Sequence, residues 1–349
     1  MLKGPARLAA IVIAATGLGT LGAAAQDYTL RLHQFLPETS TIPREVLAGW
    51  AKAIELESGG RLAVELYPSM QLGGSPADLY DQARDGVADI IWTVIGYTPG
   101  RFPTAETFEL PFIIRDGKTT SRAFHRFMVE NSGDEFDETH VLAFHTHGPG
   151  LIHSQKPVRS LEDMAGLKVR GGNRVINMML EELGAVPIGM PVPAVPENLT
   201  QGVIEAATIP WQVTIALRIA ELVGYHTEFE GETGWYSQTF VLTMNKQSYE
   251  RLPEDLQEII DEYSGEDLAA WMGEAMDEDD YYGRKIAEEA GNEIIVLGPD
   301  EVSRWQEVGE RVTERWIGEM ADKGYDGAAL LARAKELIEE SANFVEDEE

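Results

Sequence analysis

The chain has no cysteine among its 349 residues. Disulfide staples and thiolate metal sites are excluded, so the fold rests on packed cores. The absence also suits an oxidising compartment, where a stray thiol invites wrong pairing. Basic residues are scarce: 28 Lys and Arg stand against 59 Asp and Glu, for a formal net charge of -31. So negative a surface opposes binding to nucleic acid or to anionic lipid. The acids are spread along the chain and thicken towards its end, in Asp277-Glu278-Asp279-Asp280 and in the tail 346–349, and read as a solvated surface. Beyond the first two dozen residues no apolar run reaches the length of a membrane helix. No phosphate loop, Gly-x-Ser-x-Gly or His-Glu-x-x-His is present. Gly17-Leu-Gly19-Thr-Leu-Gly22 matches a dinucleotide fingerprint by letter only, because no strand precedes it.

What is present at the start is a secretory leader. Lys3 and Arg7 precede an apolar stretch from Leu8 to Leu21, and Ala23-Ala24-Ala25 supplies the small residues that signal peptidase reads. Cleavage is expected before Gln26. The alternative is a membrane anchor, for which the apolar run is short.

Past the leader, hydrophobic spacing alternates between strand and helix. Tyr28–His33 has a strand period, and 42–57 has helical spacing that stops at Ser58-Gly59-Gly60. A strand at 62–67, a helix over 76–86 and an apolar strand at 88–94 follow. A second series then begins: strands at 141–144 and 167–170, a helix over 174–183, a short strand at 184–188, a helix at 195–201 and an apolar segment at 202–207. From about residue 252 the chain reads as mainly helical, interrupted by a strand at 293–297. Two α/β units in series imply two lobes with a cleft between them, an arrangement suited to solute capture.

The sequence resembles the solute-binding subunits of tripartite ATP-independent periplasmic (TRAP) transporters, the DctP-like family, from about Tyr28 to about Arg311. Short segments carry the likeness together. They include Ser58-Gly-Gly-Arg-Leu62 with Tyr67-Pro68, Gln71-Leu-Gly-Gly74, Asp85-Gly-Val-Ala-Asp89 and Glu109-Leu-Pro-Phe112. Further on come Lys156-Pro-Val158, Leu161-Glu-Asp-Met-Ala-Gly-Leu-Lys-Val-Arg170, Gly202-Val-Ile-Glu205, Met244-Asn-Lys246 and Leu252-Pro253. The resemblance implies a two-lobed α/β periplasmic binding protein fold with a ligand cleft and long C-terminal helices. It places 26–148 with 240–285 in lobe I, 149–239 with 286–320 in lobe II, and a C-terminal helix and acidic tail at 321–349. It also implies a periplasmic location, a small organic acid as ligand, TRAP permease membrane subunits as partners, and neither an enzymatic activity nor a cofactor.

In that family the Lys-x-Arg at a strand end supplies an Arg that pairs with the ligand carboxylate, here Arg170. A planar guanidinium can form two parallel charge-assisted bonds to a carboxylate, and Gly171-Gly172 behind it let backbone approach closely. The polar positions that relatives use for sugar acids fall here on Val94, Tyr97, Gly150 or its neighbours, and Ile209. Phe35, Trp92, Trp211, Trp235 and Phe240 join them as candidate lining, with core packing as the alternative for each. His33, Asn173 and His145 complete the candidate ligand residues. Trp50, Trp271, Trp305 and Trp316 fall on expected helix faces and read as core. His145-Thr-His147 could present two imidazoles to one side of a strand, but no further ligand motif supports a metal, so none is expected. A small monocarboxylate with an apolar or aromatic body is the ligand class expected. A sugar acid or dicarboxylate is the alternative within the same function, and a secreted α/β hydrolase or isomerase the alternative from another class. A receptor domain feeding a sensor is a third possibility.

Overall fold

The computed structural model describes residues 26–348; the expected leader, 1–25, lies outside the described residues, as do the side chains of the tail 346–349. Eleven strands are described: β1 (Tyr28–Gln34), β2 (Leu62–Tyr67), β3 (Ile90–Val94), β4 (Thr139–Thr146), β5 (Leu151–Ser154), β6 (Lys168–Gly171), β7 (Val186–Gly189), β8 (Ala206–Ile209), β9 (Tyr225–Phe229), β10 (Thr239–Asn245) and β11 (Glu293–Leu297). They form two sheets, ordered β2-β1-β3-β10-β4 and β11-β9-β5-β8-β6-β7. Each sheet seats one lobe of a two-lobed α/β fold.

The parallel part of the first sheet follows from the pattern. Leu30 of β1 is buried between the more exposed Thr29 and Arg31 and faces Val64 of β2 across the ladder, while the strand is buried throughout from Leu32 onward. β10 is different. It returns from the second lobe and runs antiparallel between β3 and β4, with every residue buried. β5 is likewise buried throughout, so neither strand shows a period-two signature.

Several expected boundaries shift. The helix expected over 42–57 opens with a π-helical segment, Ile42–Leu47, around Pro43 before Ala48–Glu57 continues as α-helix. The 184–188 strand begins at Val186, because Gly184 adopts the positive φ that ends the preceding helix. The 202–207 segment pairs only from Ala206 onward. Trp50, Trp305 and Trp316 are buried, but Trp271 is 39% exposed, on the outer face of its helix against Gly49.

Three passages of the chain link the two sheets. Residues 147–150 lead from β4 to β5, residues 230–238 lead back from β9 to β10, and helix Glu266–Glu289 leads across again towards β11. The first two crossings are bound together. The Gly150 N–H donates to the Tyr236 carbonyl at 2.9 Å, and Ser237 Oγ donates to the His147 carbonyl at 2.7 Å. A Cβ on Gly150 would sit 2.2 Å from the Tyr236 ring, so only glycine permits this approach. The spanning helix also docks through glycines. A Cβ on Gly273 would fall 2.1 Å from the Gly117 carbonyl oxygen, and one on Gly283 would fall 2.3 Å from that of Trp211. Among the described residues no helix is long and apolar enough to cross a membrane.

Candidate ligand-binding cleft

A narrow cleft lies between the two sheets. The first lobe contributes Phe35, at the loop after β1, Trp92 and Val94 from β3, Tyr97 just beyond it, and Phe240 from β10. The second contributes Val192, Ile209, Gln212 and Val213, and the crossing segments add His147 and Gln238. Val94, Tyr97 and Ile209, the positions where polar groups of sugar-acid binders would fall, all line it. The rings are ordered. Trp92 stacks on Phe35 (centroids 5.0 Å apart, planes 13° apart) and on Phe240 (5.4 Å, 4°), and Tyr97 meets Phe35 edge-on at 5.6 Å. Such offset and perpendicular pairs are the favoured aromatic geometries.

Arg170 enters from β6, the strand predicted to carry it, and is fully buried. Its Nε donates to the Met190 carbonyl and its Nη1 to the Thr208 carbonyl, each at 2.9 Å. Nη2 has no partner among the described residues. Both bonds end on carbonyls, so neither neutralises the charge, and a buried cation left so is costly. The Tyr97 and Tyr236 hydroxyls lie in its field, and burial raises both phenols above their ordinary range. Tyr97 Oη accepts the Val192 N–H at 2.9 Å, a bond between the lobes that leaves its own proton free to donate. Tyr236 Oη has no partner. A buried cation and two phenol hydroxyls, one of them on the cleft-lining Tyr97, are therefore grouped together, a set of donors able to receive an anion.

His145 stands one layer behind. Its Nε2 accepts from Trp92 Nε1 at 2.8 Å and its ring stacks on Phe240 at 4.7 Å. Burial holds its pKa down to about 3, so it fixes the Trp92 indole as a neutral acceptor. Asn173 caps helix Arg174–Glu182, its Oδ1 accepting from Ile176 N at 2.7 Å, while its amide reaches the Ser237 carbonyl.

Three expected residues lie away from the cleft. His33 accepts the Leu72 N–H through Nε2 and bonds Gln82 through Nδ1, which holds the 71–74 turn. Trp211 donates to Glu228 and packs against His153 and His226. Trp235 stacks on Phe229 and stands perpendicular to Trp305. These two tryptophans border a separate hollow within the second lobe, with Glu228 and Asp280. Among the described residues no group of His, Asp and Glu is placed to hold a metal ion. His147, Tyr236 and Gln238 were not selected as ligand residues from the sequence. His147 lay in an unusual stretch that could be read as structural, and the other two owe their place to the crossing between β9 and β10.

Solved structures resemble the chain closely. A TRAP solute-binding protein from Rhodoferax ferrireducens T118, with copurified benzoate, is 43% identical over 91% of this chain and 99% of its own, with a TM-score of 0.89. A marine metagenome TRAP solute-binding protein specific for aromatic acids, with 3-hydroxybenzoate, is 40% identical over 90% of this chain and 98% of its own (TM-score 0.88). A Bordetella bronchiseptica protein with bound mandelate is 28% identical over 89% of this chain and 99% of its own (TM-score 0.83). Among curated proteins, a solute-binding protein of Albidiferax ferrireducens is 24% identical over 84% of this chain and 86% of its own length. The profile of the bacterial extracellular solute-binding proteins, family 7 (DctP), matches residues 32–319, and the chain belongs to that family of TRAP-type solute-binding proteins.

Proposed function

We propose that this protein captures a small aromatic monocarboxylate in the periplasm and delivers it to the membrane subunits of a TRAP permease, without catalysing a reaction on it. The observation that carries this reading is the buried Arg170 Nη2, unpartnered and close to Tyr97 of a cleft whose walls are mostly rings and aliphatic side chains, with His147, Gln212 and Gln238 as the polar exceptions. One cation balances one carboxylate. A second carboxylate, or most of the several hydroxyls of a sugar acid, would meet Val94, Ile209 and Phe240 and lose solvation without a partner, at roughly 1–3 kcal/mol for each unpaired hydroxyl. An aromatic body gains both burial and ring stacking. The benzoate, hydroxybenzoate and mandelate found with the similar proteins support the same class.

Calorimetry with ligand-free protein tests this. Benzoate-like acids are expected to bind tightly, and glucuronate and succinate weakly or not at all. Tighter binding of a uronate or a dicarboxylate would overturn the reading. Loss of aromatic-acid uptake on deletion of the gene would place the protein in transport; unchanged uptake would count against that role.

A further inference from the structure

Among the polar groups facing the cleft, His147 has a protonation state that its surroundings settle. It is the first residue past β4, on the crossing between lobes, and is 1% exposed. Its Nδ1 lies 2.5 Å from the Gly148 carbonyl oxygen. A carbonyl only accepts, so Nδ1 carries the ring proton. Ser237 Oγ, 3.4 Å from the same nitrogen, already donates to the His147 carbonyl and has no proton to offer it. In the neutral ring Nε2 is then a bare lone pair, and it has no partner among the described residues. The ring meets Tyr236 at 89° and Phe240 at 67°, which fixes its direction. Burial, followed by the Arg170 charge, holds its pKa down to about 4, so the ring stays neutral at physiological pH. Met276 of the spanning helix, which shares the cleft, brings no charge to it.

We propose that His147 is a specificity-determining residue that accepts a hydrogen bond from a hydroxyl on the ligand, so that the cleft selects hydroxylated aromatic acids over unsubstituted ones. This rests on the aromatic-acid reading above. A neutral acceptor cannot help Arg170 hold the carboxylate, and an unsubstituted ring leaves it unpaired in a closed site. A buried acceptor without a donor weakens binding by about 10- to 100-fold.

The test is calorimetry with benzoate, the three hydroxybenzoates and their methyl ethers. The ethers keep size and lose the donor. At least one hydroxybenzoate is expected to bind about 10- to 100-fold more tightly than both benzoate and its own ether. In His147→Phe this preference is expected to vanish while benzoate still binds, which also shows that the variant folds. In His147→Gln, whose amide oxygen can accept, part of the preference is expected to return. Titrations in two buffers of different ionisation enthalpy are expected to show no proton uptake. Uptake of one proton that disappears in His147→Phe would make His147 a cationic partner of the carboxylate and overturn the proposal. Equal binding of benzoate and all three hydroxybenzoates, or a preference that persists in His147→Phe, would overturn it and leave the aromatic-acid reading standing. Failure of every aromatic acid to bind would overturn both.

Discussion

At the scale of the residue, Arg170 is the position most open to a direct test. Its Nε and Nη1 bonds to the Met190 and Thr208 carbonyls fix the guanidinium plane before any ligand arrives, so little side-chain entropy remains to be lost on binding. Arg170→Ala is expected to weaken aromatic-acid binding by about 1.5–3 kcal/mol or more, and Arg170→Lys to recover little, because an ammonium cannot copy the planar fork. Calorimetry decides it, and unchanged affinity in the alanine variant would remove Arg170 from the site. The sequence pointed to this residue through the family resemblance; the local pattern alone, a strand-end Arg before Gly171-Gly172, would equally suit a surface ion pair, and its burial on β6 comes from the fold. The tryptophans were not legible. Trp92 and Trp211 both read as strand-end residues, yet Trp92 sits mid-strand in β3 and lies on the cleft, whereas Trp211 opens the helix Trp211–Leu217 and turns to Glu228. Which happens depends on the position of β3 and β8 within their sheets, which no window of sequence contains.

At the scale of the element, helix Glu266–Glu289 concentrates charge where it touches both lobes. Asp277 accepts the Gly117 and Lys118 N–H groups at 2.7 and 2.9 Å, and Asp280 accepts that of Gln212 at 2.6 Å. Asp279 accepts from Thr41 Oγ1 at 2.7 Å and pairs with Arg44. The sequence marked this acidic run as a solvated surface; Asp277 and Asp280 are instead inward-facing caps for backbone of either lobe. Burial, then the neighbouring Asp116 and Glu274, push Asp277 up to about 7, and burial and Asp277 raise Asp280. Burial also lifts Glu109 to about 8, with Glu106 adding to it. A carboxyl whose pKa is higher folded than unfolded binds more protons in the folded state. Its contribution is therefore present in acid and is lost as pH rises from the unfolded value through the folded one. Burial lowers the histidine pKa values, which acts in the opposite sense as pH falls through the unfolded imidazole range. The carboxyl contribution is therefore read as a difference: the midpoint of thermal unfolding of Asp277→Asn relative to the wild type is expected to rise from about pH 6 to about pH 8.5 at constant ionic strength. A difference that stays constant or shrinks over that range would contradict the Asp277 assignment.

At the scale of the whole molecule, the cleft has walls from both sheets, and the Tyr97 to Val192 bond joins them. A ligand that touches Arg170 on one side and Trp92 or Phe35 on the other favours the closed arrangement by its difference in affinity for the two states. Small-angle scattering is expected to give a smaller radius of gyration with saturating aromatic acid than without; identical curves for protein shown to be ligand-free at the start would argue against closure. The two-lobed plan was legible because β1, β2 and β3 alternate with helices in the usual parallel rhythm. The antiparallel insertion of β10 was not visible as a strand, since all seven of its residues are buried. The second wall of the cleft and the crossing that carries Tyr236 and Gln238 depend on that long-range pairing.

The repeated passage between lobes also shapes how the molecule must be made. The first sheet lacks a central strand until residues 239–245 emerge, and the second lacks an edge until 293–297. Neither half can finish as the other is still being synthesised, because each is stitched from separated stretches of chain. Contacts so distant in sequence make for slow folding. A polypeptide of this connectivity stays incomplete, and therefore threadable through a translocation channel, until nearly all of it has left the ribosome.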